Sequence, residues 1–292
     1  MNSPMDKLID TTMIRYGLPG WVRPYIHRYV RDSPVSAVRF AISLIDTKRK
    51  KGSITKTQVK LPNGKALSMG SVLKLLGLFF HGEENISRAE IAWANSSADR
   101  NAIYEARFAE MAEIDAKRAR AIKNLAEGLG HAIGECPKSM ARTFERIAEI
   151  EDWRDRIVAT GIIVKYAYAA TFGTLFYRVF YPVSPEFMRF FGKAFDGDDK
   201  DSERWDTAEA RRMLEDGSLD SERVLGLSRE LLVEILRSME SNMDIAKELG
   251  LEKEVMLLSE ISVAYPFEVL SEMGVKVDID DEVKRIKKLS SA

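Results

Sequence analysis

The chain is poor in the residues that most often carry metal, thiol and redox chemistry. It has one cysteine, Cys136, and three histidines, His27, His81 and His131, in 292 residues. A single cysteine excludes an internal disulfide and fits a reducing compartment. Without a second cysteine or a His-Asn constellation, Cys136 reads as structural rather than nucleophilic. Long apolar runs are also missing. The greasiest stretch, "GIIVKYAYAATFGTLFY" at 161–177, is broken by Lys165 and is shorter than the roughly 20 residues of a membrane span. The start, "MNSPMDKLID", carries acids where a secretory leader is basic. A cytoplasmic location with no membrane association is therefore expected. No Walker loop, dinucleotide fingerprint or G-x-S-x-G elbow occurs, and no tandem repeat of fixed period is present.

What is there is ordinary for a folded domain. Apolar residues make up 45% and charged residues 30%, too apolar for disorder and enough for one large domain or two small ones. The net charge of −1 hides an asymmetry. Residues 1–65 hold 13 Lys+Arg against 4 Asp+Glu, and the remainder holds 31 against 41. Such a split suits an arm that faces a polyanion or docks on its own acidic body. Short helices broken by "GLPG" and "DSP" fill residues 5–47, with Asp32-Ser33-Pro34 as a helix start. "ITKTQVKL", the turn signal "PNG" and "KALSM" then predict a β-hairpin. Lys48, Arg49, Lys50, Lys51, Lys56, Lys60 and Lys65 make it basic. Presented together they would make several phosphate contacts; the alternative is a solvated loop. No aromatics interleave, so base stacking is not expected.

From residue 68 the pattern is helical. Helices are predicted over about 69–95, 99–130, 152–180, 185–215 and 221–249, followed by a shorter helix and a charged tail. Long helices on short links argue for an antiparallel bundle. Two domains follow: a basic arm and hairpin, 1–67, and the bundle with its C-terminal helices, 68–292.

Three of these helices place charge in the middle of an apolar seam. Positions 69, 72, 76, 79, 83, 86, 90 and 93 read Met, Val, Leu, Phe, Glu, Ile, Glu, Trp. Positions 104, 108, 111, 115, 118, 122, 125 and 129 read Tyr, Phe, Met, Asp, Arg, Ile, Leu, Leu. In the third helix, 158, 162, 165, 169, 172, 176 and 179 read Val, Ile, Lys, Ala, Phe, Phe, Val. A buried ion costs several kcal/mol unless paired. If the seams meet, Glu83 and Asp115 neutralise Arg118 and Lys165. The alternative is a misphased seam whose charges face water. Glu84 stands beside Glu83, and either could turn inward.

This layout resembles the ferritin-like superfamily of di-iron carboxylate proteins over residues 68–215. That family carries a Glu on the first and third bundle helices and Glu-x-x-His on the second and fourth. "FFHGEENISRAEIAWA" resembles the first, with Glu83 or Glu84 at the carboxylate. "EMAEIDAKRARAIKNL" resembles the second, with Asp115-Ala-Lys-Arg118 in place of Glu-x-x-His. "GIIVKYAYAATFG" is similar to the third, with Lys165 near the carboxylate. "DKDSERWDTAEA" resembles the fourth, with Asp201-Ser-Glu-Arg204 in the motif's place; Glu234-Ile-Leu-Arg237 is a rival of equal spacing. Arginine offers no lone pair to a metal. The resemblance implies a degenerate member in which Glu83, Glu84, Asp115, Arg118, Lys165, Asp201 and Arg204 form a buried ion-pair cluster at a former metal site. No cofactor and no metal are then expected. Metal-free members of the superfamily serve as scaffolds, as in the bacterial phenylacetyl-CoA monooxygenase.

The leading expectation is thus an all-α, ferritin-like antiparallel four-helix bundle with an N-terminal helical arm, a small basic hairpin and C-terminal helices. It would work as a non-catalytic binding or scaffold module toward a nucleic acid or an acidic protein partner. The oligomeric state, a homo-oligomer included, stays open. The alternative is an iron or manganese oxidase or oxygenase using Glu83 or Glu84, Glu113, Asp115 and His81 or His131. Elsewhere, His81 reads as a helix-surface residue and His131 as a helix C-terminal cap. Tyr166, Tyr168, Phe172, Phe176 and Tyr177 read as core rather than a ligand cavity.

Overall fold

A computed structural model describes residues 52–61, 64–96, 102–168, 179–180, 183, 198–249 and 252–291. His27, Lys48, Arg49, Lys50, Lys51 and the helical arm lie outside these residues, and so do the side chains of Tyr166, Phe172, Phe176, Tyr177, Asp201 and Arg204. The described residues are mostly helical, with one small sheet among them.

The sheet has three antiparallel strands, β1 (Ser53–Ile54), β2 (Gln58–Lys60) and β3 (Ala66–Ser68). "ITKTQVKL" does not run as one strand. Thr55 turns the chain: its N–H donates to the Gln58 carbonyl at 2.9 Å, and its hydroxyl accepts from the Gln58 N–H at 3.2 Å. Threonine hydroxyls compete for backbone groups in this way and favour turns. Gly64, at φ +86, closes the second turn. Val59 pairs with Leu67 across the ladder, and both are buried in the same core as the helices.

Ser68 ends the sheet and starts the bundle. Its hydroxyl accepts from the Ser71 N–H at 3.2 Å and caps α1 (Met69–Ala94). Next come α2 (Ala102–Gly128) and α3 (Lys138–Ala148). Gly130, at φ +82, stops α2: its N–H donates to the Glu127 carbonyl, and the His131 N–H donates to that of Ala126. The His131 backbone thus does the capping. Its ring instead donates from Nε2 to the Lys56 carbonyl at 2.7 Å and ties the sheet to α2.

The segment after α3 is one helix of changing pitch. Asp152 caps α4 (Trp153–Val158), a π-helical turn follows (π1, Ala159–Val164), and α5 (Lys165–Tyr168) continues it. Every residue of π1 is buried, not only one stripe. Tyr168 stacks on Phe144 within the core, with ring centroids 5.8 Å apart. After it come α6 (Asp198–Glu215), α7 (Ser221–Glu240), α8 (Met243–Leu249), α9 (Glu252–Glu272) and α10 (Ile279–Ser290). The single helix expected over 221–249 is broken at Ser241–Asn242. There the Ser241 hydroxyl and the Asn242 amide both donate to the Ser238 carbonyl, at 2.8 and 2.7 Å, which ends α7.

Packing follows the seams. Contacts along α1 and α2 run in opposite directions: Trp93 meets Phe108, the Ser87 hydroxyl meets the Ala112 carbonyl, and Glu83 meets Arg118. The two helices are therefore antiparallel. The α4–π1–α5 helix packs on α6, and α7 packs on α3, π1, α9 and α10. Each large core side chain, such as Ile122, Ile162, Phe180 or Phe267, contributes about 1.5–3 kcal/mol by leaving water.

One contact fixes how closely α6 approaches π1. A Cβ on Gly161 would lie 2.5 Å from the Asp206 Cβ and 2.8 Å from its Oδ2. Only glycine leaves room for that carboxylate. Gly161→Ala is predicted to cost about 1–3 kcal/mol by overpacking, although alanine is the better helix former. Gly226→Ala on the exposed face of α7, where nothing lies within 4 Å, is predicted to stabilise by about 0.5–1 kcal/mol. Urea midpoints of the two variants should move in opposite directions.

Candidate functional site

Charged side chains are rare in a helical core, so those that occur mark the site. Glu83 and Glu90 are two turns apart on α1, and Asp115 and Arg118 are one turn apart on α2. The antiparallel pairing brings them together. Arg118 Nη1 donates to Asp115 Oδ1 at 2.9 Å and lies 3.8 Å from Glu83 Oε2. The Arg118, Asp115 and Glu83 side chains are 7%, 11% and 14% exposed. Asp206, on α6, is 1% exposed and completes the cluster over Gly161.

Glu90 is the most deeply placed of these groups, with no exposed surface. Neither carboxyl oxygen accepts a hydrogen bond. An ionised carboxylate there would be costly. Burial, foremost, and then the charge of Asp115 push the Glu90 carboxyl well above the usual carboxylate range. A hydrogen bond to Asp115, which only the protonated form can donate, adds to this, as do the charges of Asp206 and Glu83. Glu90 is thus pushed toward its neutral form, while Asp115 is held by Arg118.

Of the other expected members, Glu84 falls elsewhere. Glu84 turns outward, is one-third exposed, and takes a hydrogen bond from Arg88 at 2.9 Å; it does not join Arg118. Helical geometry turns it about 100° from Glu83, which decides between the two. Lys165 is half-buried at the start of α5 and borders the fully buried π1 turn. The helix α6 supplies Asp206 to the cluster. The rival pair Glu234 and Arg237 lies on α7, 2.8 Å apart, with Arg237 also donating to the Leu289 carbonyl at 2.9 Å. It holds α10 to α7. Glu113 faces solvent, where a hydrogen bond from Lys117 holds its carboxyl below the usual range.

Neither described histidine, His81 nor His131, joins the cluster's acids in a ligating arrangement. His81 is not a surface residue: it is 8% exposed, and its Nε2 bonds the Gly134 carbonyl at 2.8 Å. Its place in the helix put it at the edge of the seam, where the α2–α3 link covers it. His131 bonds the hairpin, as described. Among the described residues no group of three or more His, Cys, Asp or Glu has the geometry to hold a metal ion.

Two further features lie outside the cluster. On the sheet, Lys56 and Lys60 are exposed and Lys65 is half-buried. At the other end of α1, a cleft of about 670 Å³ lies between α3, α4 and α7. Arg146 bridges Glu149 and Glu230 there, and Arg223 bridges Asp152 and Asp155. Burial pushes the Asp155 carboxyl up, against the pull of Arg223.

Glu90 and Asp206 are the two cluster residues that motif matching missed. Glu90 sat in the α1 stripe, two turns from Glu83, and was visible as an acid in an apolar seam. Asp206 carried no signal, because its burial depends on a glycine in another helix.

Replacing Arg118 by Met should leave Glu83 and Asp115 buried without the guanidinium. The predicted loss is about 3–5 kcal/mol of unfolding free energy. Lys117→Met, one residue away but exposed, is predicted to change it by less than about 0.5 kcal/mol. Equal effects of the two in denaturant titrations would place Arg118 outside the cluster.

No protein-family model, no curated protein and no solved structure matches this chain.

Proposed function

We propose that the chain is a non-catalytic, metal-free bundle protein of ferritin-like kind, acting as a binding or scaffold module. The observation that carries this reading is the place of Arg118. Its guanidinium is buried between α1 and α2, within 3.8 Å of Glu83 and 2.9 Å of Asp115. In the family it resembles, a metal dication neutralises carboxylates at this level of the bundle. Here a side chain supplies the positive charge, and an arginine cannot act as a ligand. Glu90, Asp115 and Asp206 come from the first, second and fourth segments around the cluster, and Gly161 from the third. That arrangement supports the ferritin-like reading of the helix order.

The partner-facing surface in this reading is the basic sheet and the arm that precedes it. Lys56 and Lys60 project from the strands and turns with their ammonium groups open to solvent. A polyanion, nucleic acid or acidic protein, would be held by charge rather than by stacking. The competing reading is an iron or manganese oxidase or oxygenase with an atypical site. What favours it is the nearness of four acids, Glu83, Glu90, Asp115 and Asp206, although no three of them have the geometry to hold a metal ion.

Elemental analysis of the purified protein separates the two. The scaffold reading predicts iron and manganese far below one per chain, and no rise in melting temperature when either ion is added. A ligand that binds the folded state alone would raise it. Stoichiometric metal with a raised melting temperature would establish the alternative. For the polyanion surface, affinity for a labelled nucleic acid should fall steeply between low and physiological salt. It should weaken in a Lys56→Ala, Lys60→Ala double variant. No binding at low salt would remove nucleic acid as the partner.

A further inference from the structure

The outer face of α2 changes sign along its length. In the first half its exposed charges are acids, Glu110 and Glu113. In the second half they are cations, Lys117, Arg120 and Lys123, followed by Glu127. The basic sheet abuts this second half. The His131 ring bonds the Lys56 carbonyl through Nε2 at 2.7 Å. The Lys56 Cδ lies 4.0 Å from where a Cβ on Gly130 would stand, so the lysine stem runs over the end of α2. The two basic surfaces are thereby held together.

From Lys117 to Gly130 the rise is about 20 Å at 1.5 Å per residue. Exposed cations line this face and the sheet beside it: Lys56, Lys60, Lys117, Arg120 and Lys123. Two exposed acids, Glu113 and Glu127, lie among them, and residues 52–68 contain none. Glu113 pairs with Lys117 at 2.9 Å and Glu127 with Lys123 at 3.9 Å, and all four side chains are more than half exposed. Exposed pairs of this kind are weak and screened by salt, so each lysine can leave its glutamate for a phosphate.

What the face lacks narrows the partner. Among the described residues the exposed large apolar side chains are Ile91, Ile103, Met256 and Leu289. None is aromatic, so a single strand finds no stacking platform. Ile103 lies at the far end of α2, so a protein partner finds no apolar centre for its interface. A duplex needs neither. It is a stiff rod with one negative charge per about 1.7 Å of axis, and a straight helix locked to a sheet can lie along it. We infer that the second half of α2 and the sheet form one binding face for the phosphate backbone of a nucleic acid duplex, with Lys117, Arg120 and Lys123 as phosphate contacts. This rests on the polyanion reading above and names its ligand.

Two consequences separate this face from a helix side that is merely solvated. Each cation on a phosphate displaces counterions, so losing three contacts should flatten the plot of log affinity against log salt by about three units. Removing the two acids should have the opposite effect. Glu113→Gln with Glu127→Gln releases Lys117 and Lys123 and takes away two charges that repel phosphate.

The test is fluorescence anisotropy of the full chain with labelled DNA and RNA duplexes, a single strand and poly-glutamate, from low to physiological salt. Wild type should bind at least one duplex more tightly than the single strand or poly-glutamate. The triple variant Lys117→Gln, Arg120→Gln, Lys123→Gln should bind that duplex at least tenfold more weakly, with the flattened salt dependence. The control Lys284→Gln, Arg285→Gln, Lys288→Gln removes the same charge from the exposed side of α10, which packs on α7 and α9, and should change affinity far less. If the α2 triple variant does not fold, the glutamate pair decides: tighter duplex binding supports the face, and unchanged or weaker binding overturns it. Equal losses in the two triple variants would also overturn it, as would a single strand or poly-glutamate bound as tightly as a duplex. If Lys56→Ala with Lys60→Ala weakens binding while the α2 triple variant does not, the α2 face falls and the polyanion reading stands. If wild type binds no nucleic acid at low salt, both fall.

Discussion

The structure depends on one problem of charge: acids have been placed where little water reaches them. Glu83, Glu90, Asp115 and Asp206 meet in the middle of a helical bundle, and the fold answers each differently. Asp115 takes a guanidinium N–H at 2.9 Å, and Glu83 shares the same guanidinium at 3.8 Å. Burial and the neighbouring acids push the Glu90 carboxyl well above the usual carboxylate range. These choices set the geometry around them. α1 and α2 must run antiparallel in the register that brings Glu83 to Arg118, and α6 must approach π1 at a glycine. Apolar packing supplies most of the stability, but it is indifferent to small shifts in register. Buried charge is not, because a displaced partner leaves an uncompensated ion.

Much of this arrangement could be read from the sequence. The two stripes of α1 and α2 were in phase: Val72, Leu76, Glu90 and Trp93 on one, and Tyr104, Phe108, Asp115, Arg118 and Ile122 on the other, are all buried. Helical period is a strong signal when it persists for seven turns, and both helices are that long. The Asp115–Arg118 pair was legible for the same reason, being local to one helix. The hairpin was legible from its turn residues, although Thr55 divides it into three strands.

What the sequence did not show is non-local or hidden in backbone detail. The apolar run around Lys165 was read as a stripe of ordinary pitch. A π turn instead buries all six residues ahead of that lysine, and no residue type announces a π turn. Lys165 therefore borders the buried turn at its edge. Asp206 was hidden because its burial rests on Gly161, in another helix and far along the chain. The break in the helix after Glu240 turned on two side chains bonding one carbonyl, a contest between local and helical hydrogen bonds that propensity alone leaves undecided.

The central proposal is that Arg118, not a metal, neutralises the cluster's acids. The most direct measurement is a crystal structure with anomalous diffraction data collected at the iron and manganese edges. The account predicts Arg118 within hydrogen-bonding distance of Asp115 and no anomalous peak among Glu83, Glu90, Asp115 and Asp206. A peak bridging those carboxylates, with the Arg118 guanidinium displaced from between α1 and α2, would contradict it.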